Sequence, residues 1–529
     1  MTVDPTRRRM LAASAAGAVG SLLPAARAHA SGGAWGELPS GVWPGASPAY
    51  KILEIHLYGG LSPWESFYFR PGSGPQFRGF GPGSGAAGDV FSSLQFNGGC
   101  AGAPGSATAS QPFDSTDATH PIHFGAITSP LWATSIFDRT RVVVLQHDLL
   151  PHEAAIPYAA SGFRLGNPKL AGLGAAIQHR ALAIEETKPE AMRRRIPFSF
   201  VLRPLAGGFP GDNVQVFSAT GQHPGAARPV VIDSDQSSNL LSLLDRSAGP
   251  TPRITPEAEQ VFNYYRAQYR DLLRFSGSGN PIRSRGFADY EAAAGNLIAA
   301  SLLRTLFTGS PSVSLSPTSE PHCASLTGGP FTSQRNITSH AIRLAAHLLG
   351  HPSSPAHYAC VVDDGLVTTS GGGYDTHTSG HVRATSVNLL NVLSTLRALV
   401  DAGQLDLNST MVVLTTEFGR TPYRSSMGSP SPSSGGRDHF PQGFVNVLIG
   451  GPIATRAVVG RLRDSDGVAV SGQVFNCSDV RAAVLLAAGI FPFADALFGT
   501  TDITTSLIDA GSHDVTAANV RRQLLGVPG

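Results

Sequence analysis

Late in this chain, carboxylate and imidazole side chains gather in three short clusters, each beside glycine. They are Gly371-Gly372-Gly373-Tyr374-Asp375-Thr376-His377, Glu417-Phe418-Gly419-Arg420-Thr421-Pro422 and Gly435-Gly436-Arg437-Asp438-His439-Phe440-Pro441. Glycine lets backbone approach a ligand closely, so such clusters suit a site for a cation or an anionic substrate better than a core. Oxygen and imidazole donors without thiolates fit a divalent ion, whether zinc, manganese, iron, calcium or magnesium, and the imidazoles tilt the choice toward the transition metals. Asp375 and His377 are separated by one residue, so both can turn inward only if the backbone twists, which the three glycines permit; His381 is an alternative donor. Asp438 beside His439 can place one side chain on an ion and the other behind it, because a metal-bound imidazole needs an acceptor on its far nitrogen.

Positioning these clusters takes a sheet. Val382, Leu389, Leu390, Leu393, Leu396 and Val400 recur at three- and four-residue intervals, with Asn388, Asn391 and Arg397 off the stripe, which predicts a helix that Gly403 ends. Residues Met411 to Thr416 are too short for a helix and rich in β-branched side chains, which predicts a buried strand with Glu417 at its carboxyl end. That end is where open α/β sheets bind ligands. Further strands are predicted at Lys51 to Tyr58, running into Gly59-Gly60, at Arg141 to Leu145, running into His147 and His152, and at residues 198–202, 214–219, 229–232, 357–362 and 444–449. Helices are predicted over 255–275, opened by Thr255-Pro256-Glu257, and over 289–307, 338–349 and 478–488. His340 and His347 share a face of one of them, without a carboxylate, and read as packing.

Taken together, Gly-Gly-Tyr-Asp-Thr-His ending at His377, Glu417-Phe418-Gly419-Arg420-Thr421-Pro422 and Gly436-Arg437-Asp438-His439 resemble the DUF1501 family, secreted bacterial proteins grouped by fold with alkaline phosphatases and sulfatases. The resemblance implies an α/β chain with an alkaline-phosphatase-like three-layer fold, a largely parallel central sheet and long loop insertions. It implies metal ligands at Glu65, Asp375, His377, Glu417, Asp438 and His439, and catalytic roles for Ser66, His152 and Arg420. Arg420 is read either as a bidentate partner of phosphate or sulfate or as a fixer of loop geometry. The chain departs from the pattern at Glu65, Ser66 and Tyr68, where the family has Asp, Thr and Asp, and no hydroxyl stands beside His152. Glu417-Phe418 also replaces the Asp-His of catalytic superfamily members. Two functions follow: a secreted metal-dependent hydrolase of small or polymeric phosphate or sulfate esters, or a non-catalytic envelope protein that keeps the fold to bind or scaffold.

The chain of 529 residues has room for a sizeable core, and only 14% of them are charged, while 60 glycines and 39 prolines imply long uncharged loops. Lysine occurs only at Lys51, Lys169 and Lys188, and scattered arginine without a basic stripe excludes a nucleic-acid footprint. Thr6-Arg7-Arg8-Arg9, an apolar run to Leu23 and Ala28-His29-Ala30 read as a twin-arginine export signal over 1–30, too short and too rich in Ala and Gly for a stable membrane span. Export to the periplasm or beyond is expected. The remainder, 31–529, is read as one domain with an irregular insertion at about 70–121. Cys100, Cys323, Cys360 and Cys477 form no Cys-x-x-Cys pair and receive no chemistry.

Overall fold

The structure, a computed structural model, describes residues 49–71, 110–163, 172–186, 198–203, 229–233, 300–308, 336–366, 372–377, 381–422, 437–493 and 498–527, apart from isolated positions within these ranges, together with scattered positions between 188 and 268. The export signal, most of the 70–121 stretch, the 214–219 strand, Cys100 and Cys323 lie outside the described residues.

Strands β1 (Lys51–Leu57), β4 (Thr140–Leu145), β5 (Ser199–Arg203), β6 (Val230–Asp233), β7 (Tyr358–Asp363), β8 (Thr410–Thr415), β11 (Phe444–Gly450) and β12 (Ala457–Val459) form one sheet in the order β12-β4-β11-β8-β1-β7-β5-β6. All pairings are parallel except those of β11, which runs antiparallel to both β4 and β8. A hairpin of β2 (Ser110–Asp114) and β3 (Ile122–Gly125) emerges from the stretch read as irregular, and β9 (Gly419–Arg420) pairs with β10 (His439–Phe440).

Apolar cores cover both faces, which explains why β4, β7 and β8 are buried along their whole lengths. On one face pack the helices at Ile337–Gly350 and His381–Asp401; on the other pack those at His152–Ser161, Leu173–Glu186, Cys477–Ala487 and His513–Val520. With the helix at Ala300–Thr308 included in chain order, we label them α1 (His152–Ser161), α2 (Leu173–Glu186), α3 (Ala300–Thr308), α4 (Ile337–Gly350), α5 (His381–Asp401), α6 (Cys477–Ala487) and α7 (His513–Val520). The three-layer α/β architecture expected from the sequence is the one observed.

Helix α5 differs from its predicted amphipathic form. Asn388 and Asn391 are buried: Asn391 exchanges hydrogen bonds with Asn336, the cap of α4, and the Asn388 amide donates to Gly373 O at 2.9 Å. A polar stripe that reads as solvent-facing is therefore a second buried face, satisfied by side-chain amides. Because β1, β4, β7 and β8 are parallel, their carboxyl ends share one rim. The antiparallel β11 begins at that rim, with Phe444 opposite Leu145. Asp375 and Glu417 follow β7 and β8 there, and His439 precedes β11.

Candidate metal centre

At this rim four side chains converge. His152, Asp375, His377 and His439 each offer a ligand atom, and these atoms lie within 4.8 Å of one another. His152 opens α1, Asp375 and His377 come from the loop after β7, and His439 lies on β10, just ahead of β11. His152 Nε2 stands 3.0 Å from His439 Nε2 and 3.6 Å from Asp375 Oδ2. Donors about 2.0–2.1 Å from a tetrahedral zinc stand about 3.3 Å from one another, a spacing these two distances bracket.

Each imidazole also has an acceptor for its far nitrogen, as metal-bound histidines do. His152 Nδ1 donates to Glu417 Oε1 at 2.8 Å, His377 Nδ1 bonds Asp375 Oδ1, and His439 bonds the backbone of Leu150. Glu417 is fully buried and also accepts from Gly59 N–H at 2.8 Å. The loop at Glu417 is held again by His147, whose Nδ1 accepts from Leu149 N–H, leaving Nε2–H to donate to Glu417 O at 2.6 Å.

Protonation follows from these contacts. Burial alone would lower the pKa of His152, but its hydrogen bonds to Asp375 and Glu417 raise it to about 9. Burial, the Arg420 guanidinium and the neighbouring imidazoles push His439 down to about 3. Burial works against ionisation of Asp375 and Glu417, yet their bonds to His152, with His377 on Asp375 and His56 on Glu417, hold both well below the usual carboxylate range. His152 therefore carries the proton in its contact with His439. A cation would replace that one proton and take a lone pair from each ring.

The structure brings His152, Asp375, His377 and His439 together and sets Glu417 directly behind His152. It places the remaining expected residues differently. Glu65 lies in the turn after β1, where Trp64, Phe67 and Tyr68 enter the core; its carboxylate accepts from the Ser62 hydroxyl, and it is not among the clustered donors. Ser66 is buried, with its hydroxyl donating to Ser62 O at 2.6 Å, and is not among the clustered donors. Asp438, beside His439, is also absent from the cluster; its backbone pairs with Thr421, and adjacent residues on extended backbone face opposite ways.

Arg420 is 0% exposed, and its guanidinium donates to Gly59 O, to Arg437 O at 2.8 Å and to Asp375 Oδ1 at 2.7 Å. Of its two readings, the fixing of loop geometry is the one these contacts describe. Gly59, with φ of +106°, shows how tight the rim is: a Cβ there would fall 2.1 Å from Asp375 N. Sequence reading passed over Glu54 and His56, both buried in β1, and Arg481 in α6. The available signal was two polar residues at i and i+2 inside an otherwise apolar strand.

Rim and cluster define an α/β protein with a histidine- and aspartate-built candidate cation centre at the carboxyl edge of its sheet. Residues 361–517 match the model of a family described as "Protein of unknown function (DUF1501)", so the resemblance carried by the three motifs is shown over that segment. A comparison with curated proteins returned no match. Among solved structures, the chain is similar to two mutants of TAB5 alkaline phosphatase with Mg bound in the M3 site. Identity is 9% and 8%, the TM-score is 0.31 for both, and each alignment covers 84% of this chain and 99% of that one. Among the described residues no helix is long and apolar enough to cross a membrane.

Proposed function

We propose that this protein is an exported, metal-dependent hydrolase of phosphate or sulfate esters whose divalent cation is held by His152, Asp375, His377 and His439. The observation that carries the metal reading is the convergence of three imidazoles and one carboxylate, each imidazole with an acceptor behind it. The twin-arginine pattern supports export, because that route carries chains already folded around their cofactors. Resemblance of the motifs to the DUF1501 family and its superfamily supports the ester class.

A cation in this position would supply a Lewis acid and acidify a bound water. The chain's own contribution is orientation. Glu417 fixes the tautomer of His152, Arg420 locks Asp375, and Phe418 packs its ring 4.1 Å from that of His439. The donor set favours zinc, iron or manganese over calcium or magnesium.

One observation favours the second reading, a non-catalytic binding or scaffold protein. Four protein donors can close a tetrahedron, whereas catalytic zinc sites keep a position open. His377, with a side chain 37% exposed, is the donor whose departure would open that position. The test is metal content of the purified protein together with hydrolysis of aryl phosphate and aryl sulfate. Turnover with bound metal, both lost in Asp375→Ala and His439→Ala proteins that unfold normally, is the expected result. A metal-free protein that stays inert after reconstitution refutes the metal reading, and a metal-loaded inert one supports the scaffold.

A further inference from the structure

Behind the rim, a continuous line of buried polar groups crosses the core from helix α6 to His152. Arg481 forms two parallel bonds to Glu54, Nη1 to Oε2 at 2.7 Å and Nη2 to Oε1 at 2.6 Å. Tyr358 OH donates to Glu54 Oε2 at 2.7 Å, and Thr415 Oγ1 donates to Oε1 at 3.1 Å. With its one hydroxyl proton used on Glu54, Thr415 must accept from His56 Nδ1, which stands 3.2 Å away. The opposite nitrogen of His56 faces Glu417 Oε2 at 3.4 Å, and Glu417 Oε1 holds His152 Nδ1.

A second route joins the same two ends. Arg481 Nε donates to Ala159 O at 2.7 Å, inside α1, the helix that His152 begins. Glu54 thus reaches both the ring of His152, through Thr415, His56 and Glu417, and the helix that carries it, through Arg481. Arg481, Glu54, Tyr358, Thr415, His56, Glu417 and Ala159 are all buried. A core of this kind is costly to assemble from polar groups, and hydrophobic replacements of similar volume are commonly as stable. Specification of geometry is the return that fits its two endpoints.

We propose that the chain Arg481–Glu54–Thr415–His56–Glu417 positions His152, so that cation affinity at the rim is set by residues that never touch the ion. This rests on the metal reading above. Glu54, Thr415, His56 and Arg481 are positioning residues: none is among the clustered donors.

The test uses full-length protein with Thr415→Val, which keeps the shape and removes the hydroxyl, and Thr415→Ser, which keeps the hydroxyl. Zinc affinity is measured by competition with a chromophoric chelator, alongside thermal unfolding of the metal-free proteins. Loss of the partner directly behind a metal-bound histidine, here Glu417, weakens binding about 10- to 100-fold. Thr415 stands two links behind it, so we expect a weakening of up to about tenfold in Thr415→Val and near-native affinity in Thr415→Ser, with both metal-free proteins folded. Should Thr415→Val fail to fold, His56→Gln serves in its place: its amide can still reach toward Glu417, but the nitrogen facing Thr415 is gone. If the native protein binds zinc and the altered protein binds it equally well, the positioning role is overturned while the metal centre stands. If the native protein takes up no divalent cation, both fall.

Discussion

Proton competition at His152 gives the sharpest expectation. In the metal-free site the proton on this ring is held by Glu417 and Asp375, with a pKa of about 9, whereas His439, at about 3, is already neutral near pH 7. Of these two rings, only His152 must therefore give up a proton to a cation. Below about pH 9 the apparent affinity should rise about tenfold per pH unit, and at pH 7 it should lie about 100-fold, or about 2.7 kcal/mol, under its plateau. The assay is a cobalt or zinc competition titration between pH 6 and 8, with proton release read from a pH indicator in weak buffer. In Glu417→Gln the ring loses one of its two carboxylates, so the slope should flatten at a lower pH, even though overall affinity also falls.

The same shift has the opposite sign for stability of the metal-free protein. A histidine whose folded pKa is raised from 6.5 stabilises the fold fully below about pH 6.5, and that contribution is lost as pH rises through about 9. The loss is about 3 kcal/mol, measurable by denaturant unfolding of the metal-free protein at pH 6 and pH 9.5. The depressed carboxylates of Asp375 and Glu417 express the same pairing from the other side: their share is present above the ordinary carboxylate range and lost on acidification. Affinity that does not change between pH 6 and 8, or release of no proton, would refute the assignment of His152 as a ligand.

Two substitutions probe the supports. Arg481→Met leaves Glu54 buried without its guanidinium and Ala159 O without its donor; urea unfolding should show a loss of about 3–5 kcal/mol, and near-native stability would show that the pair is not what holds α6 to β1. Gly59→Ala combines a φ of +106° with a Cβ only 2.1 Å from Asp375 N, so it should cost about 1–3 kcal/mol and abolish cation uptake by moving Asp375; retention of native metal content would contradict the close approach of these two loops.

How far the sequence discloses this site depends on how far apart its parts lie. Asp375, Glu417 and His439 stand out because carboxylate, imidazole and glycine are unusual company inside an apolar α/β pattern, and α5 and β8 separate the first two at a distance such a sheet imposes. The ring of His152 meets the Glu417 carboxylate across 265 residues of sequence, and no local pattern announces it; that contact exists because β4 and β8 run parallel with β11 between them. Glu54 and His56 are harder still, since polar residues within a strand buried on both faces look like interruptions until Arg481 and Thr415 are seen opposite them. Arg420 admits two readings in sequence because a guanidinium suits an anion and a carbonyl equally, and its partners Gly59 O, Arg437 O and Asp375 come into view only in the fold.

These losses have one physical origin. The clustered donors sit in the rim loops or at the ends of short elements beside them, where short-range composition records chemistry, while Glu54, His56, Thr415 and Arg481 sit inside strands and a helix, where composition records burial. A buried polar residue is legible as a support only with its partner in view, because the desolvation cost that makes it conspicuous is cancelled by a hydrogen bond from a distant segment. For this fold the consequence is specific: Thr415, the last residue of β8, looks like an ordinary β-branched strand former, yet its hydroxyl is the narrowest link between Glu54 and His56.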